Sequence, residues 1–250
     1  MKSFIIQFKR LFSVRLLLIS MIFAVTHLLS IAGEIQDFGN TWYYLERSLD
    51  SGVTFFTMYF LPAMAFSYTL SDEWSSHASD YWVSRIGINR YTYSKFITSA
   101  LGGFFTVFIG IILIVIVLSI IFPTFAGDSG SGPYGYLVSN GHILTGAFFY
   151  ALDYSLSGAV SAVIGVFCST FIMSPIVSVT APLCIQMTLS LVSNIFELPK
   201  QFNALFWMHV YIDSFSLMDA VWEKYLPCIL VMVVLSYIGV KETHKRTENR

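Results

Sequence analysis

The stretch Phe96–Phe122, FITSALGGFFTVFIGIILIVIVLSIIF, contains no charged side chain. A helix that crosses the hydrocarbon core of a bilayer needs about 20 consecutive, mostly apolar residues. This stretch is longer, so it predicts a transmembrane helix that tilts within the bilayer or projects from it. The whole chain agrees, because only 12% of its 250 residues are charged, whereas soluble domains carry about 25%. The chain is therefore predicted to be an integral membrane protein with a single membrane domain, residues 1–250.

Further stretches of the chain are also long and apolar enough to span a membrane. Residues 154–196 contain no Asp, Glu, Lys or Arg, and that interval is too long for one crossing. The small and polar residues of Cys168–Pro175 (CSTFIMSP) divide it into a tight helical hairpin. The predicted fold class is an all-α integral membrane protein with six transmembrane helices. The predicted spans are Val14–Ala32, Val53–Leu70, Phe96–Phe122, Ile143–Phe167, Pro175–Phe196 and Tyr225–Val240.

Lysine and arginine lie mostly on one side of these predicted spans. Eleven of the fourteen fall in the N-terminus, in residues 71–95 or in the C-terminus. Cytoplasmic loops of membrane proteins carry the excess of Lys and Arg, so these three regions are predicted to be cytoplasmic. The expected location is a cell membrane, bacterial, crossed several times with both termini inside. The other side holds Arg47, Lys200 and Lys224 with nine acids: Glu34, Asp37, Glu46, Asp50, Asp128, Glu197, Asp213, Asp219 and Glu223.

Two amphipathic segments are predicted to lie in the membrane interface rather than to cross it. Apolar residues recur at helical spacing over Phe4–Phe12, which predicts an N-terminal interfacial helix that leads into the first span. A cleaved signal peptide ending at Ser30–Ala32 is the alternative. Residues 197–222 are too short for two crossings, so one or two re-entrant helices in the outer leaflet are expected there. An outer lid without a role in transport is the alternative for that segment.

Matches to catalytic and nucleotide-binding motifs lack the context that those motifs need. GDSGSGP (Gly127–Pro133) resembles the nucleophile region of trypsin-like serine proteases and overlaps a formal GxGxxG, but it follows a membrane helix. Ser157-Gly158 has no obvious catalytic partner in another span. HExxH and Walker-type GxxxxGK[ST] sequences are absent, and the three cysteines form no metal-binding pattern. We expect no catalytic residue, no metal site, no nucleic-acid partner and no ATP-binding motif in this chain.

Asp153 is the single acidic residue inside a predicted span. A charge at this depth is costly, so its side chain should face the bundle interior, a partner or a water-filled cavity. It either contacts cargo or a proton on the transport pathway, or is a structural carboxyl bonded to hydroxyls of neighbouring helices. His27, in the first span, is a second candidate pathway residue. The fourth span also carries small residues that favour close packing, within the chain or between subunits: Ser157, Ser161, Gly165 and Ser169.

The most polar interval between the apolar stretches is DEWSSHASDYWVSRIGINRYTYSK, residues 72–95. It predicts a short amphipathic helix over residues 72–86, with aromatic side chains sharing one face at helical spacing. Ser71 can cap its start, two acids in the first turn complement the helix dipole, and Gly87 can provide its left-handed stop. Two interpretations stay open: a helix resting in the lipid headgroups, or a docking surface for a cytoplasmic partner.

The order of these parts resembles the permease subunits of type-2 ATP-binding-cassette (ABC) exporters over essentially the whole chain. The resemblance includes the acidic helix between spans two and three and the following Gly87, Arg90 and Lys95; Gly87 and Asn89 stand where many members have Pro and Ser. It implies a coupling helix that docks into a separate cytoplasmic ATPase subunit, which would bind ATP and Mg²⁺. It also implies a second permease, either a copy of this chain or a relative, in a lipid membrane. The residues expected to couple to the ATPase are Asp72, Glu73, Trp74, Tyr81, Trp82, Arg85 and Arg90.

The expected function is that of the transmembrane subunit of an ATP-driven exporter. A pathway lined by Phe, Tyr and Met suits an amphipathic or hydrophobic cargo, such as a peptide, an antibiotic or a lipid-like molecule. A non-transporting immunity or sensor subunit and a secondary transporter are the alternatives. A single buried acid and the lack of a visible inverted repeat disfavour ion-coupled transport.

Overall fold

The computed structural model describes residues 2–33, 40–122, 134, 137–138, 140–199, 203–204 and 221–248. All regular secondary structure in these ranges is helical, which confirms the predicted all-α class for this part of the chain. A single π-helical turn, Val221–Tyr225, precedes the last helix. The α-helices are α1 (Lys2–Leu11), α2 (Val14–Ile31), α3 (Thr41–Leu49), α4 (Gly52–Phe66), α5 (Thr69–Ser75), α6 (Ala78–Ile86), α7 (Ile88–Ile121), α8 (Ile143–Phe171), α9 (Pro175–Ile195) and α10 (Leu226–Glu248).

Several of these helices are long and apolar enough to cross a membrane, which indicates a multi-pass membrane protein. Five such helices occur among the described residues, namely α2, α7, α8, α9 and α10 with its preceding π turn. A sixth crossing arises if α4 and α5, which meet at a bend of 42°, are counted as one broken span. The second predicted span, 53–70, therefore coincides with an element that is bent rather than straight. The third predicted span, Phe96–Phe122, corresponds to α7, which starts eight residues earlier, at Ile88.

Helix α8 lies at the centre of the bundle. In an 18-residue apolar stretch of α8, 78% is buried, whereas the corresponding stretches of α2, α7, α9 and α10 are 22–39% buried. It packs against α4, α7, α9 and α10. Gly158 lies directly against the backbone of Gly103 in α7, and Gly165 lies against the Ser178 carbonyl of α9, so a side chain at either glycine would collide with backbone. Gly165 belongs to the predicted stripe of small residues, and its other members, Ser157, Ser161 and Ser169, are also buried, so the stripe is used for packing within the chain.

The bundle has a basic end, which comprises α1, α5, α6, the start of α7 and the end of α10. The Arg246 guanidinium donates to the carbonyl oxygens of Thr170 (3.1 Å) and Phe171 (3.0 Å). This joins the end of α10 to the C-terminus of α8, where a cation is favourable. Ser71 and Ser178 meet at 3.3 Å and bring the start of α5 to the same end. These are the segments that the Lys and Arg distribution assigns to the cytoplasm.

The opposite, acidic end comprises α3, the end of α7, the start of α8 and the π turn. The Thr41 hydroxyl donates to the Phe122 carbonyl at 3.4 Å, and the hydroxyls of Tyr134 and Tyr225 lie 3.0 Å apart. Most of the predicted re-entrant segment lies outside the described residues, as does the GDSGSGP loop. Of that segment, Ala204 is buried and its carbonyl accepts a hydrogen bond from the Tyr59 hydroxyl at 3.1 Å.

Candidate functional site

The stretch for which the sequence predicts one helix, residues 72–86, contains two helices at the basic end. Helix α5 ends at Ser75 and α6 begins at Ala78. Between them, His77 adopts a left-handed conformation with φ 59°. The hydroxyls of Ser75 and Ser76 both donate to the Asp72 carbonyl, at 3.0 and 2.8 Å. The left-handed conformation of His77 turns the chain between the two helices.

The seven residues expected to contact an ATPase divide into two groups. Glu73 and Trp74 point into the protein and are 8% and 7% exposed. Tyr81 is 51% exposed, and its ring stacks under the Arg85 guanidinium, whose Cζ lies 4.1 Å from the ring centroid. Trp82 is half-buried and packs edge-on against Tyr81. The remaining two, Asp72 and Arg90, are exposed.

Glu73 forms the centre of a buried charge cluster that joins three helices. Its Oε1 atom lies 2.7 Å from Lys95 Nζ of α7 and 3.0 Å from Arg10 Nη1 of α1. Its Oε2 atom accepts a hydrogen bond from the Tyr91 hydroxyl at 2.9 Å. Lys95, which is fully buried, also donates to Gln7 Oε1 of α1 at 3.2 Å. The Glu73 carboxylate therefore bonds α5 to α1 and to the long helix α7.

Two grooves flank this region at the basic end. One, of about 350 Å³, lies between α5, α6 and the end of α10 and is lined by Trp74, His77, Asp80, Val83 and Thr247. The other, of about 750 Å³, lies between the start of α7 and the end of α10. The surface that α6 presents is thus bordered by concave grooves with polar and apolar side chains.

The second candidate site is at the acidic end, where Asp153 pairs with Lys224. Lys224 Nζ lies 2.9 Å from Asp153 Oδ2, and both side chains are fully buried. Asp153 is in α8, whereas Lys224 is on the π turn before α10. Sequence reasoning missed Lys224, which it counted as a loop cation. The signal was present, because an acid inside a span needs a partner and few basic residues lie on that side.

Tyrosine rings surround this ion pair. The Tyr154 ring centroid lies 5.6 Å from Lys224 Nζ. Tyr150 packs against Tyr154 at 4.9 Å and against Tyr134 at 6.2 Å between ring centroids. The Tyr134 hydroxyl in turn bonds to that of Tyr225. A buried carboxylate with aromatic faces around it is an environment that stabilises a cation.

Glu46 of α3 contributes a further carboxyl at this end. Burial raises the pKa of Glu46 to about 7. The nearby Trp42 side chain lowers this pKa, and the neighbouring Asp50 carboxylate raises it further. Helix α3 contacts the tyrosines of the Asp153 site through Trp42, whose ring packs against Tyr150 with the centroids 5.2 Å apart. Glu46 therefore lies on a helix that packs against this site.

His27 lies apart from the Asp153 site. Its Nδ1 atom bonds to the Ser48 carbonyl at 2.8 Å and its Nε2 atom to the Thr57 hydroxyl at 2.9 Å. Both ring nitrogens thus have partners, one in α3 and one in α4, and the ring is fully buried. Among the described residues no contact joins it to Asp153, so its bonding is that of a side chain that holds α2 against its neighbours.

Neither candidate site has the ligands of a metal centre. No group of three or more His, Cys, Asp or Glu side chains within the described ranges is arranged to hold a metal ion. Comparison of the chain with protein-family models, with curated proteins and with solved structures finds no match. The interpretation of both sites therefore rests on their geometry and chemistry.

Proposed function

We propose that this chain is the transmembrane subunit of an ATP-driven ABC exporter, docked at its basic end to a separate cytoplasmic ATPase subunit that binds ATP and Mg²⁺. The observation that carries the proposal is the Glu73 cluster, whose Arg10 guanidinium also lies against the Trp82 ring of α6, with Cζ 6.0 Å from the ring centroid. A docking helix is useful only if its displacement reaches the membrane helices. Here α5 is bonded to α1 and α7 by one carboxylate, while α6 leaves an aromatic and charged surface free.

The proposed mechanism divides the coupling residues by what they touch. Tyr81, Arg85 and part of Trp82 meet the ATPase, since aromatic residues and arginine dominate the energetics of protein interfaces. Glu73 receives the displacement and passes it to Lys95 and Arg10. Trp74 packs α5 against the bundle. ATP-driven closure of the ATPase would then favour one arrangement of the spans over another through contacts that differ between the two states.

The complete transporter is proposed to contain two permeases, either two copies of this chain or this chain with a related permease. Both termini and α5–α6 would face the cytoplasm of a bacterial cell. The large apolar side chains exposed on α2, α9 and α10 then face lipid or the second permease. The cargo is proposed to be amphipathic or hydrophobic.

Capture of the ATPase tests the proposal. The tagged chain is purified from its own cells in mild detergent, and vanadate-sensitive, Mg²⁺-dependent ATPase activity is measured in the eluate. Wild type is expected to retain this activity, and the variant Tyr81→Ala/Arg85→Ala is expected to lose it. Tyr43→Ala is the matched control, because Tyr43 is 54% exposed but lies on α3 at the acidic end.

Two results would contradict the proposal at different points. If wild type captures no such ATPase, the exporter proposal fails. If the activity survives in Tyr81→Ala/Arg85→Ala, the assignment of α6 as the docking surface fails. Loss of activity in Tyr43→Ala as well would mean that capture depends on general integrity of the fold rather than on α6.

A further inference from the structure

The ion pair between Asp153 and Lys224 is in contact but poorly satisfied. The two groups are 2.9 Å apart. In the described part of the chain, however, the two carboxylate oxygens of Asp153 and the Lys224 ammonium all lack a hydrogen bond of good geometry. Leaving such groups unsatisfied away from water is unfavourable, and more so when they are charged. A better-placed ammonium group could therefore compete with Lys224 for the carboxylate.

The walls around Asp153 have the chemistry of an ammonium site. Four tyrosines form a connected group beside the ion pair: the Tyr154 ring lies 5.6 Å from Lys224 Nζ, Tyr150 packs against Tyr154 and Tyr134, and the Tyr134 hydroxyl lies 3.0 Å from that of Tyr225. Aromatic faces attract ammonium groups, and the attraction is larger when the site excludes water. Lys224 already demonstrates this arrangement, with its Nζ atom against both the carboxylate and the Tyr154 ring.

Charge and local backbone both favour exchange at this position. The outer segments carry nine acidic residues against three basic ones, including Lys224 itself, and such a field raises the local concentration of cations. Lys224 is held on a single π turn, Val221–Tyr225. Single π turns are often found at functional sites, so the cation that contacts Asp153 lies on an irregular segment rather than within a regular α-helix.

We propose that Asp153 and the four tyrosines form a binding site for the ammonium group of a cationic amphiphile, and that Lys224 occupies this site when the ligand is absent. That the site binds cargo for export rests on the proposed function. That the site binds an ammonium group does not, and this can be tested without an ATPase. It would place the recognition of cargo at the acidic end, far from the docking surface on α6.

The experiment uses the full chain in nanodiscs of zwitterionic lipid, with n-butylammonium as the probe because it reproduces the Lys224 side chain. Thermal unfolding is followed while n-butylammonium, or 1-butanol as the neutral control, is titrated. A ligand that binds only the folded state raises its stability in proportion to the occupancy that it reaches. In Lys224→Ala the vacated site should respond to butylammonium at a concentration at least about tenfold lower than wild type requires.

Asp153→Asn/Lys224→Ala is the matched variant, since it has the same vacated space but no carboxylate. Replacing both partners of a buried ion pair is tolerated much better than removing one, so this variant should fold and respond to butylammonium no more than to butanol. Lys224→Arg keeps the buried pair and should hold the carboxylate in a two-point contact, which makes the response weaker than that of wild type. This variant and wild type give a decision even if Lys224→Ala does not fold.

Three outcomes would overturn the inference. The double variant could respond as Lys224→Ala does, which would remove Asp153 from the site. Wild type could show no saturable response to butylammonium at any concentration, which would make the pair a closed structural contact. Lys224→Arg could respond as strongly as wild type, which would mean that the cation does not compete for the carboxylate. None of these outcomes depends on whether an ATPase is captured, so failure here is distinct from failure of the proposed function.

Discussion

The Glu73 side chain is buried among other helices of the chain, although the sequence predicts that it contacts an ATPase. It has two cations and a tyrosine hydroxyl as partners, and of the two cations only Arg10 is substantially exposed. Glu73→Gln would leave Lys95 fully buried without its negative partner. Removing one member of a buried pair typically costs about 3–5 kcal/mol, so we expect a loss of that order in the free energy of unfolding, measured by chemical denaturation in nanodiscs.

The neighbouring acid provides the control for this prediction. Asp72 lies on the same helix but is exposed, and surface substitutions usually change stability by less than about 0.5 kcal/mol. Equal effects of Asp72→Asn and Glu73→Gln would contradict the central position that the structure gives to Glu73.

Glu46 makes a pH dependence predictable at the acidic end. Its pKa is raised from 4.5 to about 7 in the folded chain, mainly by burial. The folded state therefore favours the protonated carboxyl, and its contribution to stability is complete below pH 4.5 and lost as the pH rises through 7. Glu46→Gln should remove this decline. The measurement is the difference in unfolding midpoint between wild type and Glu46→Gln from pH 4 to pH 8, which should shift in favour of the variant as the pH rises. A constant difference would contradict the raised pKa.

Single residues show where the sequence is informative and where it is not. Asp153 could be selected because a charge inside an apolar stretch needs a reason. Its partner could be narrowed to the three basic residues of that side, Arg47, Lys200 and Lys224, but only the folded chain shows that Lys224 lies beside Asp153. Glu73 and Asp72 look alike in the sequence. Their opposite burial follows from helical geometry, since neighbouring side chains on α5 point about 100° apart and the Glu73 side faces α1 and α7.

At the scale of the elements, the close approach of α7 and α8 depends on two glycines. A Cβ atom at Gly103 would collide with the Gly158 carbonyl and with the Ala162 side chain. Overpacking at a tight contact of this kind costs about 1–3 kcal/mol. Gly103→Ala is therefore expected to lower the unfolding midpoint of the chain in nanodiscs.

Gly52→Ala is the matched variant, because Gly52 is also helical but has open space around its Cβ position. Replacing such a glycine reduces the entropy of the unfolded chain and adds about 0.4–1 kcal/mol of stability. The two variants should therefore shift the midpoint in opposite directions. A loss in Gly52→Ala as large as that in Gly103→Ala would show that glycine-specific packing is not what holds α7 and α8 together.

The elements were predictable as far as hydrophobic length determines them. Apolar runs located α2, α7, α8, α9 and α10, and the CSTFIMSP punctuation fell at the turn between α8 and α9. The bend between α4 and α5 and the break before α6 were not visible, because neither interrupts the apolar or amphipathic pattern from which the helices were predicted. Sequence patterns carry no comparable signal for either feature.

At the scale of the whole molecule, charge separation and packing give the same two ends. The regions rich in Lys and Arg are brought together by the contacts of Arg10, Glu73, Lys95 and Arg246, although the packing itself contains no information about a membrane. The positive-inside rule therefore makes a prediction about orientation that the fold accommodates without rearrangement. It assigns the basic end to the cytoplasm and the Asp153 site to the outer half.

This orientation predicts which introduced cysteines react from each side of the membrane. In a background with Cys168, Cys184 and Cys228 replaced by serine, Ser75→Cys and Glu248→Cys report the basic end and Asn140→Cys reports the acidic end, since all three positions are exposed. A membrane-impermeant maleimide applied to intact spheroplasts should label position 140 alone, and in inside-out vesicles it should label positions 75 and 248 alone. A permeant maleimide should label all three in both preparations, which controls for reactivity.

Labelling of positions 75 and 140 from the same side would contradict the two-ended arrangement. Exchange of the two labelling patterns would invert the orientation and place the α6 surface beyond the reach of a cytoplasmic ATPase.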